Sequence, residues 1–342
     1  MSVAILQVGA GIRGRHWIGF VRAHPQVHHV GLVEPDAANR EQARQLLGPE
    51  VPLFEDLEAA LARVRADAAL IASPSALHAA QTIRCLEAGL VVLVEKPLAT
   101  SMAEAQDVVA KSRATGRQVI VAENYRFFPA ERTLKARLAE GLLGQVDHMQ
   151  LVDRRRMPKG SEGEWLFRVR FPQLQEIAIH HFDSLRAFAG KPPVAVTARV
   201  WNPPWSDYAH GASTEAFVDF GDLQVQYLGT LMSHRFGFSL WVEGEKGVLW
   251  TNRKYVFFRP AGSRWFRPLR NLRVPPGDEK PYPQGGTTSL LDSLVAAVRD
   301  GVPAETRAED NIWTVAMVEA ARRSHEEARR VTLAEVFPDG AG

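Results

Sequence analysis

The chain has 342 residues, more than one hydrophobic core usually serves, so two domains are expected. Hydrophobic residues make up 46% and charged residues 23%, a globular mixture that excludes a disordered chain. Lys+Arg 41 against Asp+Glu 39 leave a net charge of only +2, which gives no general attraction to nucleic acid.

No apolar run approaches the roughly 18 residues a membrane span needs. The N-terminus enters a strand without the pattern of a signal peptide. The lone cysteine, Cys85, cannot form an intrachain disulfide and reads as a small core residue. These features predict a cytoplasmic protein.

Val3 to Val8 is a short apolar strand, and Gly9-Ala-Gly11-Ile12-Arg13-Gly14 follows without a gap and opens a helix. This is G-x-G-x-x-G in the strand-to-helix setting the dinucleotide motif requires. Its glycines allow a tight turn and close approach to a pyrophosphate, which the helix N-terminus then receives. The second strand, Val30 to Val33, ends in Glu34, about 20 residues past the motif, where an acid accepts the ribose hydroxyls and repels a 2′-phosphate. That favours NAD over NADP. Asp36 reads as the cap of a helix from Asn39 to Leu47.

Strand and helix keep alternating. Asp56 to Val64 is a helix, and Ala68 to Ala72 is the fourth strand, ending in Ser73-Pro74. A helix from Ala76 to Ala88 precedes Val91-Val-Leu-Val94, a β-branched run that reads as a strand buried on both faces. Glu95-Lys96-Pro97 follows at its carboxyl end, where ligands bind in open α/β sheets. As an isolated tripeptide it reads rather as an exposed pair capping a strand, and the rest of the chain reverses that preference. Ser101 and Glu104 form a capping box for the next helix, Gly116 ends it, and Gln118 to Ala122 is the sixth strand. Repeated β–α units of this length predict a doubly wound parallel sheet.

Asn124-Tyr125-Arg126 begins the crossover to a second domain, with boundaries at 1–122 and 123–342. A helix from Pro129 to Gly141 and a strand from Gln145 to Val152 are followed by an aperiodic stretch to Leu174, which reads either as a covering loop or as a pocket wall lined by Trp165 and Arg168. Glu176 to Gly190 reads as one helix on which Glu176, His180 and Asp183, at spacings of four and three, share a face. That stripe is open to three readings: a metal site, a solvated surface, or a general base oriented by a carboxylate.

Short alternating segments between Val194 and Arg259 predict an antiparallel sheet, with Trp241, Trp250 and Phe257 on a face that helices leave open. An open apolar sheet face predicts a homo-dimer or homo-tetramer. Leu269 to Thr288 reads as a loop, and helices Ser289–Arg299 and Asp310–Ala328 close the chain.

These residues resemble the Gfo/Idh/MocA oxidoreductase family, the relatives of glucose-fructose oxidoreductase and inositol dehydrogenase. The resemblance rests on Gly9 to Gly14, Ser73-Pro74-Ser-Ala-Leu-His78, Glu95-Lys96-Pro97, Glu123 to Phe127, Ile179-His-His-Phe-Asp183 and the closing segment Gly301 to Val331. It implies α/β plus α+β architecture: a Rossmann domain followed by a domain with a large, mostly antiparallel, open-faced sheet. It also implies NAD-linked hydride transfer at a secondary alcohol of a sugar, amino sugar or cyclitol, and it needs no metal.

Under this resemblance His180 is the base, Glu176 orients it, and Lys96 holds the reacting hydroxyl. Gly9, Gly11, Ile12, Arg13, Gly14, Glu34, Ser73, Pro74, Glu95, Lys96 and Asn124 surround the cofactor. Arg126, Trp165 and Asp183 are candidates for the substrate. One departure is that Glu176 stands where inositol-dehydrogenase-like members have aspartate, and Phe171-Pro-Gln-Leu174 replaces a glycine pair. Other family activities supply the alternatives: a glycosidase that retains NAD and uses transient oxidation, and a sensor without catalysis.

Overall fold

The structure is a computed structural model and describes residues 2–157, 164–280 and 284–341. Parts of the stretches read above as aperiodic, at 158–163 and 281–283, lie outside the described residues. The chain divides into two compact units. The first comprises Met1–Asn124 and Pro275–Val315, the second Tyr125–Val274 and Ala316–Gly342.

The first unit is built on six parallel strands: β1 (Val3–Val8), β2 (Val27–Val33), β3 (Leu53–Phe54), β4 (Ala68–Ile71), β5 (Val91–Val94) and β6 (Val119–Val121). Their order, β3-β2-β1-β4-β5-β6, reverses direction of growth between β1 and β4. Ligands of doubly wound sheets bind at that switch point. β4 and β5 are buried at every residue, as covering by helices on both faces requires.

The helices between them are α1 (Ile12–Ala23), α2 (Ala37–Leu47), α3 (Leu57–Arg63), α4 (His78–Glu87) and α5 (Met102–Thr115). Local sequence sets their ends. Asp36 accepts from Asn39 N and Asp56 from Ala59 N, each serving as an N-cap. Ser101 and Glu104 form a reciprocal capping box, and Gly116 ends α5 in the left-handed region. Cys85 is buried on α4, where burial pushes its thiol up to about 12, so it stays protonated and inert.

A division at 122/123 would assign Pro275–Val315 to the second domain, whereas its contacts group it with the first unit. Two interactions bring it there. The helix Thr287–Asp300 packs against β5 and α1, and its Leu290, Leu291, Leu294 and Val295 are buried. The segment after it pairs with β6, where Val121 N donates to Thr306 O and Ile120 bridges to Arg307.

The second unit contains α6 (Pro129–Ala139), β7 (Val146–Arg156) and α7 (Ile179–Ala189), then β8 (Ala195–Trp201), β9 (Ser213–Asp219), β10 (Gln224–Thr230), β11 (Met232–Gly244), β12 (Gly247–Thr251), β13 (Val256–Pro260), β14 (Arg267–Leu269) and β15 (Val331–Thr332). The nine strands lie in the order β14-β13-β12-β11-β7-β10-β9-β8-β15. Only β7 and β10 pair in parallel; the other pairs are antiparallel.

Alternation along β11 and β12 buries Leu240, Val242 and Leu249 on one face and leaves Trp241 and Trp250 half-buried on the other. Trp241 is paired with Trp250 and Trp250 with Phe257 across the strands, forming a ladder with ring centroids 5.7 and 5.3 Å apart. This is the open aromatic face expected from the sequence.

Candidate active site

In the first unit the glycine loop is held by packing and by hydrogen bonds to it. Gly9 has φ +98°, and a Cβ there would meet Ala72 O at 2.5 Å; one at Gly14 would meet Gly9 O at 2.3 Å. No other residue fits these two positions without moving backbone. A Cβ at Gly11 would instead meet nothing within 4 Å. Gly11 is the N-cap of α1 and has no side chain to satisfy the first-turn N–H groups. The loop therefore fits a pyrophosphate: open at Gly11, with unsatisfied donors behind it.

Glu34, at the end of β2, is buried. Its Oε2 accepts from Ala10 N at 2.7 Å and its Oε1 from Asp36 N at 3.0 Å. Each carboxylate oxygen keeps a second lone pair for a ribose hydroxyl. Arg15 braces the loop from the other side, with Nη1 donating to Ala10 O at 2.9 Å. These residues fit an NAD molecule lying over Gly9 to Gly14 with its adenosine ribose at Glu34.

Glu95 is committed to the protein itself. Its Oε1 accepts from Arg13 Nε at 2.5 Å and from Trp17 Nε1 at 2.7 Å. Burial by itself raises the Glu95 carboxyl, but Arg13, Trp17 and Lys96 together outweigh it and hold the group below the ordinary carboxylate range. Arg13 and Trp17 both belong to the helix that starts at the glycine loop. The clamp thus ties the carboxyl end of β5, and with it Lys96, to the cofactor helix.

The Lys96–Pro97 peptide is cis. His78 stands between two neighbouring turns, its Nδ1 2.7 Å from Pro97 O and its Nε2 2.9 Å from Ser73 O. Ser73 Oγ donates to Gln81, Pro74 is exposed, and Ile12 is 40% exposed at the first turn of α1. Asn124 is buried, and its Nδ2 donates to Gly285 O at 2.8 Å.

In the second unit the stripe around His180 differs from the expected single helix. Gln173–Ala178, which includes Glu176, is a π-turn, and regular α-helix begins only at Ile179. The i→i+5 bonding of the π-turn breaks the regular four-residue step from Glu176 to His180. The stripe is not a solvated surface either, since His180 and Asp183 are buried and Glu176 is half-buried. Asp183 is held by Arg126 through two hydrogen bonds, Nη2 to Oδ1 at 2.7 Å and Nε to Oδ2, and Arg186 approaches to 3.5 Å. Arg126 and Asp183 are therefore partners of each other inside the protein.

His180 stacks on Tyr125 with ring centroids 4.2 Å apart. His181 Nδ1 lies 3.0 Å from Tyr227 Oη, and burial followed by the positive charge of Arg253 and Arg155 holds His181 well below the ordinary imidazole value, hence neutral. Trp165 is 53% exposed on a short 3₁₀ turn at Glu164–Arg168. Among the described residues no three His, Cys, Asp or Glu side chains form a group that could hold a metal ion. No helix among them is long and apolar enough to cross a membrane.

Sequence reading overlooked Gln7, Trp17, Arg15, Tyr125 and His181. Gln7 alone carried a visible signal, as a polar residue within the apolar strand Val3–Val8. Trp17, Tyr125 and His181 act through partners far away in the chain, and Arg15 through the nearby carbonyl of Ala10.

The parallel sheet in the order described, the glycine loop and Glu34 define a dinucleotide-binding protein of the Rossmann type. The chain belongs to the Gfo/Idh/MocA family. Residues 3–123 match its model of an oxidoreductase family with an NAD-binding Rossmann fold, and residues 132–250 match the Gfo/Idh/MocA C-terminal domain. It is thus an NAD-binding oxidoreductase.

The chain is similar to a 4-carboxy-2-hydroxymuconate-6-semialdehyde dehydrogenase of Sphingobium, 36% identical over 56% of this chain and 60% of that one. It is also similar to an inositol 2-dehydrogenase of Rhizobium meliloti, 23% identical over 98% of this chain and all of that one. Among solved structures, an oxidoreductase from Agrobacterium radiobacter in complex with NAD+, L-tartaric acid and magnesium shares the fold. Its TM-score is 0.88 at 17% identity, covering 98% of this chain and 99% of that chain.

Proposed function

We propose that this protein transfers a hydride between a secondary alcohol of a sugar, amino sugar or cyclitol and NAD, with cofactor binding in the first unit and substrate binding in the second. The observation that carries the reading is the Glu95 clamp. By binding Arg13 and Trp17 of the cofactor helix it fixes the neighbouring Lys96 relative to the glycine loop. The relation to an inositol 2-dehydrogenase supports a polyhydroxylated substrate.

Bound NAD supplies the hydride acceptor. Lys96, as an ammonium, holds the substrate hydroxyl and stabilises the negative charge that develops on its oxygen. His180 takes the hydroxyl proton, its ring plane set by Tyr125. Glu176, at the π-turn before α7, orients His180. Arg126 and Asp183, being paired with each other, tie α7 to the turn after Asn124 and are not assigned to the substrate. Glu34 disfavours a 2′-phosphate and selects NAD over NADP. The protein works in the cytoplasm as a homo-dimer or homo-tetramer joined through the aromatic face of its large sheet, without nucleic acid.

The test is NADH absorbance with NAD and a panel of sugars, uronic acids and cyclitols, run with the native protein and with Lys96→Ala. The expected outcome is NADH formation with one substrate class that disappears in Lys96→Ala while NAD affinity stays nearly unchanged. Full activity of Lys96→Ala would remove the lysine from the mechanism. Turnover without net NADH would point to the NAD-retaining glycosidase.

A further inference from the structure

Gln7 is the polar exception in β1. It is fully buried on the strand that runs into the glycine loop. Its side-chain Nε2 donates to two carbonyls, Gly9 O and Gly14 O, each at 2.9 Å. Those are the first and last glycines of the motif, so one amide group closes the loop across its whole width. A carboxamide can do this only in one of its two orientations, with nitrogen toward the loop.

A second residue selects that orientation. His29 Nε2 lies 2.9 Å from Gln7 Oε1. Burial, then the charges of His28 and Arg22, push the His29 imidazole down to about 4, so the ring is neutral at ordinary pH. A neutral ring facing an amide oxygen carries its single proton on the nitrogen that faces that oxygen. Strand pairing places His29 there. Ile5 of β1 pairs with His29 of β2, and Ile5 and Gln7, two residues apart, share one face, so His29 lies on the Gln7 side of the sheet.

We propose that Gln7 is a positioning residue for the cofactor: its amide, oriented by His29, staples Gly9 to Gly14 and so aims the first-turn N–H groups of α1 at the pyrophosphate of NAD. The staple acts on spacing within the loop, and touches neither the adenosine end nor the reacting carbon. It rests on NAD binding by this loop and holds whatever alcohol is oxidised.

The experiment measures binding directly. NADH affinity is titrated by fluorescence, and ADP-ribose and adenosine are measured in competition with it, for the native protein, Gln7→Met, His29→Phe and the double variant. Gln7→Met keeps the volume but cannot donate. It is expected to weaken NADH and ADP-ribose by about tenfold, the scale of one or two lost hydrogen bonds. Adenosine, which has no pyrophosphate, is expected to change by less than about twofold.

His29→Phe leaves the amide able to turn over and should weaken NADH less than Gln7→Met. The double variant should match Gln7→Met alone, because His29 acts only through Gln7. Unchanged NADH affinity in Gln7→Met would overturn the proposal. So would equal losses for adenosine and ADP-ribose, which would mark general loosening, or additive losses in the double variant. If Gln7→Met shows no cooperative melting, His29→Phe decides on the same ligands: a loss confined to NADH and ADP-ribose supports the staple, and no loss overturns it. Hydride transfer is not read in any arm, so failure here leaves the catalytic reading standing.

Discussion

Tyr125 and His180 lie face to face, with ring centroids 4.2 Å apart and planes 17° from parallel. Tyr125 is itself fixed from other directions, by Phe128 at 4.8 Å and by the Arg253 guanidinium 4.5 Å from its ring centre. A stack of this kind permits His180 little rotation. Tyr125→Leu is expected to lower kcat by about tenfold through misdirection of the imidazole, while Tyr125→Phe stays near the native rate. Steady-state kinetics at saturating NAD, with the alcohol found in the substrate panel, checks both. An undiminished kcat in Tyr125→Leu would show that the stack does not orient the base.

Asp183→Ala removes the bidentate partner of the buried Arg126 and the carboxylate that Arg186 approaches to 3.5 Å. Removing one member of a buried ion pair typically costs about 3–5 kcal/mol. Urea unfolding should show a loss of that size. A loss below about 1 kcal/mol would mean that water or rearrangement satisfies the guanidinium groups.

Glu95 gives a pH signature. Its folded-state value lies below that of an unfolded carboxyl, so its contribution to stability is present above the unfolded value. That contribution is lost as pH falls through the folded value. The stability difference between the native protein and Glu95→Gln should therefore be largest near neutrality and shrink on acidification. Urea midpoints measured from pH 7 down to about pH 3 test the sign. Glu131 runs the opposite way, burial raising its carboxyl, so the comparison must be with Glu95→Gln and not with the native curve alone.

Trp250 sits in the middle of the aromatic ladder. If the proposed dimer or tetramer joins through this face, placing a charge there, with Trp250→Lys, should give a smaller species in sedimentation velocity and leave NADH affinity unchanged. An unaltered mass would move the interface elsewhere.

Much of the fold was legible because it is local. Val91 to Val94 announces a buried strand, Ser101 with Glu104 announces a helix start, and Gly9 to Gly14 announces the cofactor turn. The candidate site was legible as a set of residues and less so as a set of partnerships. Arg13 reads as a cofactor residue from its place in the motif, yet its Nε serves Glu95, 82 positions along the chain. Arg126 and Asp183 read as substrate contacts because charged residues near a proposed base invite that role. Their bidentate pairing is a long-range fact that no spacing rule contains. The π-turn at Gln173–Ala178 is invisible for another reason, since its residues carry no helix-breaking signal and only the packed structure shows the wider turn.

The return of Pro275–Val315 to the first unit has a consequence for biosynthesis. Strand β6 is made early, but the residues that pair along it, Thr306 and Arg307, leave the ribosome some 185 positions later. Until then the nascent nucleotide-binding half has an incomplete sheet border, and the apolar surface of β5 and α1 lacks the helix that covers it. The nucleotide-binding unit, begun first, is thus among the last parts of the fold to be completed.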